Sequence, residues 1–319
     1  MNLALLAMSH SPLIGHVELD ERVASELDAV FERAREFVKT FNPDLVVVFG
    51  PDHYNGFFYD VMPAFCIGCA ADSIGDYGGR TGPLDVPWDI AHGLAETVIG
   101  DGIDVAVSMN MQVDHGFVQP LEILFGDIGA MPVVPVFVNG VAPPFTPLSR
   151  VRLLGESVGR YLQRLDGKVL VVASGGLSHD PPVPRFATAT PEQRRMLLGE
   201  MHPLNPEARQ ARQQRVIAAA ADFANNKADI QDLAPAWDEA FLDIVAAGEL
   251  NRFDAWTPDE MTRVAGNSAH EVRTWIAAYA ALSSAGKYAV GYRFYRPIKS
   301  LIAGFAVTTA NLVDTSQSE

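Results

Sequence analysis

The sequence has few cysteines and few basic residues, and it has no long apolar run. Its two cysteines are too few for a disulfide framework, so we expect a reducing, cytoplasmic environment. Lys and Arg number 24 against 39 Asp and Glu, a formal net charge of −15, which argues against nucleic acid or an anionic membrane as a partner. No run is long enough to span a membrane, and the apolar stretch from Leu3 to Met8 lacks the basic flank of a signal peptide. With 48% hydrophobic residues, the chain is expected to be globular with a sizeable core.

The two cysteines, Cys66 and Cys69, form a C-x-x-C pair that is typical of zinc sites and of redox dithiols. No second Cys pair completes a zinc site, and CIGC lies inside an apolar, strand-like segment. We therefore expect both side chains to pack in the core.

Four of the eight histidines follow the ends of predicted strands. Open α/β sheets bind ligands at the carboxyl ends of their strands, so we expect these histidines to meet at one edge of one sheet. The predicted pairs are Leu3–Met8 with His10, Leu45–Phe49 with His53, Val105–Ser108 with His115, and Val169–Ala173 with His179.

The alternation of apolar runs with amphipathic stretches predicts an α/β fold with a mostly parallel central sheet flanked by helices. A helix-rich, charged region at about 190–265 is expected to be an insertion in a single domain, 1–314. Strands at Tyr288–Tyr295 and Leu301–Thr308 are expected to pair antiparallel across Arg296-Pro297, and residues 315–319 to form a disordered tail. The glycine-rich segment Ser73–Pro83 lacks phosphate-binding spacings and is interpreted as a flexible loop or lid.

Glu271 has two interpretations. The pattern Ser268-x-x-Glu271 before an apolar run is typical of a capping box, in which the glutamate bonds back to the helix N-terminus. Two histidines and one carboxylate are also the set that holds non-haem Fe(II) with open positions, and His10 and His53 complete such a set. The adjacent His270 is an alternative ligand, although successive helical residues point in different directions, so only one of the two is expected to face a metal.

Three aspartates flank these histidines and could fix their tautomers or act only as turn residues: Asp52, Asp114 and Asp180. The remaining histidines, His16, His92 and His202, have no strand-end context, and we expect surface or packing roles for them.

Five short fragments together carry a resemblance to a known family. They are the turn around His10, PDH at His53, DHG at His115, GGLSHD at His179 and GNSAHE at Glu271. In order and spacing, the chain resembles the class III extradiol ring-cleavage dioxygenases, the superfamily of the protocatechuate 4,5-dioxygenase catalytic subunit. The resemblance implies that His10, His53 and Glu271 bind Fe(2+), that His179 acts as base and that His115 acts as proton donor. The sequence alone does not order those two roles.

The resemblance also implies a catechol substrate and O2, with ring cleavage beside the two hydroxyls. The implied substrate is 3-(2,3-dihydroxyphenyl)propanoate or its cinnamate analogue, and the implied product is a 2-hydroxy-6-oxononadienedioate. In so acidic a protein, an anionic side chain requires a local basic partner. The candidates chosen by their place in the chain are Arg185, Arg80, Arg293 and Arg296.

Two other hypotheses remain open at this point. The same ligands could hold Zn2+ in a metal-dependent hydrolase, or the chain could be a non-catalytic relative on the same fold. We also expect a homo-oligomer, for which a homotetramer is one candidate.

Overall fold

The computed structural model describes residues 2–313, so the tail predicted at 315–319 lies outside the described residues. The strands are β1 (Leu3–Met8), β2 (Leu45–Gly50), β3 (Phe65–Gly68), β4 (Ala71–Ile74), β5 (Thr81–Pro83), β6 (Ala106–Ser108), β7 (Met111–Val113), β8 (Val133–Val138), β9 (Val169–Ser174), β10 (Tyr288–Ile298) and β11 (Ala303–Leu312). The helices are α1 (Glu21–Phe41), α2 (Trp88–Gly100), α3 (His115–Phe125), α4 (Leu148–Leu162), α5 (Pro191–Leu197), α6 (Pro206–Ala224), α7 (Pro235–Ala247), α8 (Pro258–Ala265) and α9 (Val272–Ser284).

Eight strands form the central sheet, in the order β10-β11-β1-β9-β2-β8-β3-β6. Its centre is parallel, from β1 through β9 and β2 to β8, and every residue of these four strands is buried. Strands buried on both faces are expected to be continuous apolar runs, which is how they appear in the sequence. Antiparallel pairing of β10, β11 and β1 closes one side. The predicted α/β fold with a C-terminal antiparallel pair is thereby confirmed.

Helices cover both faces of the sheet. On one face α9 lies against β1, β2 and β9 and is itself covered by α4, while α1 and α3 pack on the other face. The two layered helices approach unusually closely, because a Cβ at Gly155 of α4 would lie 2.0 Å from the carbonyl oxygen of Ala277 in α9. Glycine at this position permits the contact that buries α9 and fixes its N-terminus at the sheet edge.

The structure differs from three local expectations. The segment Ser73–Pro83, interpreted as a flexible loop or lid, contains regular structure, because β4 and β5 pair antiparallel within it around a 3₁₀ turn at Asp76–Gly78. The final strands turn at 299–302 and not at Arg296-Pro297, because β10 continues through Pro297. Proline has no backbone N–H to donate, and this is tolerated in β10 because it is the outermost strand of the sheet. The strand before His115 is β7, which belongs to a separate three-stranded sheet, β5-β4-β7.

The region expected as a helical insertion contains α5 to α8 and no strand between β9 and β10 in the described chain. That residues 1–314 form one domain stays a prediction. Among the described helices, none has the length and apolarity needed to cross a membrane. Cys66 and Cys69 are free and buried within the two apolar layers, as expected for packing residues.

Candidate active site

Five side chains from separate parts of the sequence converge on one cavity of about 920 Å³. His10, His53 and His179 follow β1, β2 and β9, whose ends lie side by side in the sheet. His115 begins α3, and Glu271 precedes α9. The expected meeting of four histidines at one sheet edge is therefore observed, although His115 arrives from the smaller sheet.

Glu271 is the centre of this group. Its Oε1 lies 3.2 Å from Nε2 of His53 and 3.2 Å from Nε2 of His179. Its Oε2 lies 3.6 Å from Nε2 of His10 and accepts a hydrogen bond from the backbone N–H of Gly176 at 3.0 Å. The carboxylate is 1% exposed, so its charge is offset by these neighbours and not by water.

The capping-box interpretation of Glu271 is wrong. Residues 269–271 form a 3₁₀ turn, Ser268 makes no side-chain cap, and the glutamate points to the histidines instead of back along the chain. His270 points away from them: its Nε2 lies 2.8 Å from Thr262 Oγ1, and its ring stacks on Phe145. The structure thus separates the two neighbours as helical geometry requires, with only the glutamate facing the cavity.

The Nδ1 atoms of three histidines are held by polar partners. His53 Nδ1 donates to Asp114 Oδ2 at 3.1 Å, and His179 Nδ1 donates to the Leu177 carbonyl at 3.0 Å. His10 Nδ1 lies 2.9 Å from Ser174 Oγ. Each contact orients the ring so that Nε2 faces Glu271, and fixing the far nitrogen in this way is how proteins present an imidazole to a metal.

The donor set suits a divalent metal. Two imidazole Nε2 atoms and one carboxylate meet at His10, His53 and Glu271, the combination typical of non-haem Fe(II). A second combination also exists, because ligand atoms of His10, His53 and His115 lie within 4.8 Å of one another. Both sets contain His10 and His53, and they differ in whether Glu271 or His115 is the third ligand.

The electrostatics of the group also suit a cation. Burial lowers the pKa of His10 to about 3, despite the opposing effect of Glu271, so this imidazole is neutral and able to ligate. Burial disfavours a charged His53 too, but Asp114 and Glu271 outweigh it and raise its pKa well above the ordinary value. For Glu271, burial is outweighed by His179 and His10, and its pKa falls well below the usual range. An ionised carboxylate favours protonated histidines beside it. A metal ion can replace those protons as the positive charge that pairs with the carboxylate.

Asp76 is a site residue that the sequence did not reveal. Its Oδ1 accepts the backbone N–H of His115 at 2.8 Å, and its Oδ2 lies 2.5 Å from Nδ1 of the same residue. Positive φ angles at Gly75, Tyr77 and Gly78 turn the chain so that this carboxylate enters the cavity wall. The GDYGG stretch was a possible signal, since such a glycine pattern favours a tight turn, but its partner lies 39 residues away.

The three flanking aspartates have different roles. Asp114 holds His53 through both the ring and the backbone N–H, and also caps α3 by accepting from the N–H of Gly116. Asp52 accepts three backbone N–H groups of residues 55–57 and is a turn residue. Asp180 binds the backbone and side chain of Asn267. Of the two hypotheses for these aspartates, fixing a histidine therefore applies to Asp114, and a role in a turn applies to Asp52.

None of the four arginines proposed for a substrate carboxylate lines the cavity. Three are paired with carboxylates on other surfaces: Arg80 with Asp127, Arg293 with Glu239 and Asp243, and Arg296 with Glu26. Arg185 is exposed and lies 3.9 Å from Asp180. Nearness in the chain to the histidines therefore did not place these four side chains in the cavity wall. The basic residues that do line the cavity come from α6: Arg209, Arg212 and Arg215.

The other histidines lie outside the cluster around Glu271. His16 contacts the Tyr77 carbonyl at 2.8 Å, His92 stacks on Trp88, and His202 lies beside Phe58. These are the packing and surface positions expected from their sequence context.

Comparison with known proteins agrees with this geometry. A family model described as the catalytic LigB subunit of aromatic ring-opening dioxygenase matches residues 4–306. Several curated relatives are named 2,3-dihydroxyphenylpropionate/2,3-dihydroxicinnamic acid 1,2-dioxygenase. The relative from Rhodococcus rhodochrous is 58% identical over 98% of this chain and 99% of its own length. The relative from Rhodococcus globerulus is 55% identical over 98% of this chain and 100% of its own length. The relative of the same name from Mycolicibacterium smegmatis is 52% identical over 97% of this chain and 99% of its own length. The chain therefore belongs to the LigB family of catalytic subunits of aromatic ring-opening dioxygenases.

Proposed function

We propose that the protein is an Fe(II)-dependent extradiol dioxygenase that cleaves the ring of 3-(2,3-dihydroxyphenyl)propanoate, and of its cinnamate analogue, with O2. The product would be a 2-hydroxy-6-oxononadienedioate. The observation that supports this most directly is the convergence of Glu271 and four histidines on one cavity, in a chain 52–58% identical to enzymes named for this activity. A cavity of about 920 Å³ is within the range that accepts a small aromatic ligand.

His10, His53 and Glu271 would hold the metal. Their donor atoms face one another, and Ser174 and Asp114 fix the two imidazoles from behind. When bound there, Fe(II) would supply a common attachment point for catechol and O2 and the electron transfer that ring cleavage requires. The buried, ionised Glu271 would balance part of the cation's charge.

His179 is suited to take a proton from a catechol hydroxyl. Its Nδ1–H is committed to the Leu177 carbonyl, so the nitrogen that faces the cavity is the one with the free lone pair when the ring is neutral. Burial lowers the pKa of His179, but Glu271, 3.2 Å away, outweighs it and raises that pKa above the ordinary value. These features support the assignment of His179 as general base.

His115 is suited to deliver a proton. Asp76 fixes its Nδ1, and its ring stacks on that of His53 at a centroid distance of 4.3 Å, so its Nε2 is held beside the metal-binding group. The Tyr77 ring packs against the His115 ring at an angle of 74°, with the ring centroids 5.3 Å apart. An imidazole held beside the catechol ring could protonate the leaving oxygen as the carbon skeleton of the substrate rearranges.

The deciding experiment begins with protein purified without air. It is loaded with Fe(II) and ascorbate, and O2 is then admitted with a panel of catechols. We expect a yellow ring-cleavage product, formed with O2 uptake in equal amount, and most efficiently from 3-(2,3-dihydroxyphenyl)propanoate. Activity restored by Zn2+ but not by Fe(II), with hydrolysis of an ester panel, would instead support the metal-dependent hydrolase.

Single replacements test the metal ligands. His10→Ala, His53→Ala and Glu271→Ala should each abolish both iron retention and turnover, because two ligands rarely hold a divalent ion firmly. His92→Gln is the matched control, since this residue contacts Trp88 and Glu96 on α2 and should leave both unchanged. Iron retained in Glu271→Ala would exclude the glutamate as a ligand.

The proposal includes a homo-oligomer in the cytoplasm. Large apolar side chains are exposed at Val107 in the edge strand β6, at Met109 just after it, and at Trp88 and Ile99 of α2. Exposed apolar side chains at a sheet edge are typical of a subunit contact. Light scattering coupled to gel filtration would measure the number of subunits.

A further inference from the structure

Three arginines follow one another along the face of α6 that borders the cavity. Arg209, Arg212 and Arg215 are spaced three residues apart, which places them on one side of a helix. All three line the cavity that contains the histidines and Glu271. They are its only Arg or Lys side chains within residues 2–313.

These arginines differ from most others in their partners. Within residues 2–313, no carboxylate lies within salt-bridge distance of any of the three, although Glu192 and Asp222 also line the cavity. Arg209 donates to the Ile74 carbonyl at 3.1 Å, and Arg212 donates to the carbonyls of His53 and Tyr54. Arg215 makes no side-chain hydrogen bond to the described chain and is exposed.

We propose that Arg212 and Arg215 receive the side-chain carboxylate of the substrate, and this inference rests on the proposed ring cleavage. Arg212 is bound to the backbone of His53, so its guanidinium lies next to one of the residues that would hold the metal. A guanidinium has more N–H donors than its two carbonyl bonds use, which leaves donors for a carboxylate. Arg215 lies about one helical turn farther along α6 and lines the same cavity, so a carboxylate beside Arg212 would also be near a second guanidinium.

Arg209 is assigned a different role. Besides its bond to Ile74, it borders a second, small cavity beneath Tyr54 and Phe58. It therefore braces α6 against the β4 hairpin and is not placed in the carboxylate subsite.

The expected effect follows from the chemistry of the pair. A carboxylate and an arginine form charge-assisted, often bidentate hydrogen bonds, which are stronger than neutral ones. In a protein with a net charge of −15, the long-range field repels an anionic substrate, so the attraction must be local. Removing one such arginine should lower selectivity for the anionic side chain by about 10- to 100-fold.

The test compares an anionic and a neutral catechol of similar shape. The ratio of kcat/KM for 3-(2,3-dihydroxyphenyl)propanoate to that for 3-propylcatechol is measured for the wild type, Arg212→Met, Arg215→Met and Arg212→Lys. We expect this ratio to fall in both Met variants and to be partly restored in Arg212→Lys. Arg185→Met is the matched control, because this exposed arginine lies outside the cavity and its loss should leave the ratio unchanged.

A binding measurement separates this inference from the proposed function. Calorimetry under nitrogen gives the Kd of 3-phenylpropanoate, which lacks the hydroxyls and cannot be cleaved, and of 3-phenylpropanamide. We expect Arg215→Met to weaken binding of the acid and not of the amide. If the wild type cleaves both catechols but neither Met variant changes the ratio or the Kd of the acid, the subsite is wrong while ring cleavage stands. If the wild type cleaves no catechol, the proposed function fails, and the substrate assignment fails with it. Should Arg212→Met lose iron through its contact with the His53 loop, the result for Arg215→Met decides.

Discussion

Replacing Asp76 by asparagine tests the role of His115 and the identity of the third metal ligand together. The two carboxylate oxygens serve one histidine: Oδ1 accepts its backbone N–H and Oδ2 faces its Nδ1, at 2.8 and 2.5 Å. Asparagine offers one acceptor and one NH2 group in the same shape. If its oxygen keeps the backbone bond, its NH2 faces Nδ1, which must then accept, and the imidazole proton moves to Nε2.

The magnitude follows from this single contact. Both groups are buried, at 6% and 8% exposure, so water cannot replace the lost charge-assisted bond. Such bonds contribute about 1.5–3 kcal/mol. Because about 1.4 kcal/mol corresponds to a tenfold change in rate or binding, Asp76→Asn should reduce kcat by about 10- to 100-fold.

The assay measures kcat at saturating catechol and the iron content of the same sample. We expect iron at the wild-type level, because the proposed ligands are His10, His53 and Glu271, none of which contacts Asp76. The control is Asp72→Asn, which removes the same charge from β4 in the same hairpin, at a side chain without hydrogen bonds to the described residues. Unchanged turnover would refute the positioning role, and loss of iron would identify His115 as a ligand in place of Glu271.

Three further predictions concern the general acid and base, the thiols and the helix packing. His115→Gln and His179→Gln should each lose most turnover while retaining iron; loss of iron in either would make that residue a ligand. Burial raises the pKa of Cys66 to about 12, so DTNB should label neither thiol in the native protein and both in denaturant; rapid native labelling would contradict the packing role. Gly155→Ala should lower the free energy of unfolding by about 1–3 kcal/mol, because α4 and α9 must move apart to admit the methyl group. Gly100→Ala is the control, because a Cβ there meets open space and should not lower stability. Equal stability of the two variants in a denaturant titration would contradict this prediction.

The sequence predicted best where short-range pattern and burial coincide. Strand β1 has the bounds predicted from its apolar run, Leu3–Met8, and β9 extends the predicted Val169–Ala173 by one residue. Such elements are specified by their own residues, since a strand buried on both faces must be apolar. The histidines at the ends of β1, β2 and β9 were predicted for the same reason.

Features set by contacts between distant segments were not predictable in this way. The β4 and β5 hairpin looked like an irregular loop, because its strands are short, glycine-rich and half-exposed. Glu271 has the sequence of a capping box, but its carboxylate contacts His53 and His179, which come from distant parts of the chain. Asp76 gave no signal either, since a lone aspartate in a turn is ordinary until its partner is known.

The arginines illustrate why position along the chain is a weak guide to which side chains line the cavity. In an acidic protein, most exposed arginines find a nearby carboxylate, as Arg293 and Arg296 do, and such pairs contribute little and carry no functional signal. More informative is an arginine that borders the cavity and has no carboxylate partner in the described chain. Both features depend on the folded structure and cannot be seen in the sequence. Such arginines belong to α6, in the helical region between β9 and β10. We infer that the sheet edge and these helices can vary separately: changes at Arg212 or Arg215 should alter which catechol side chain is accepted while the proposed metal ligands remain unchanged.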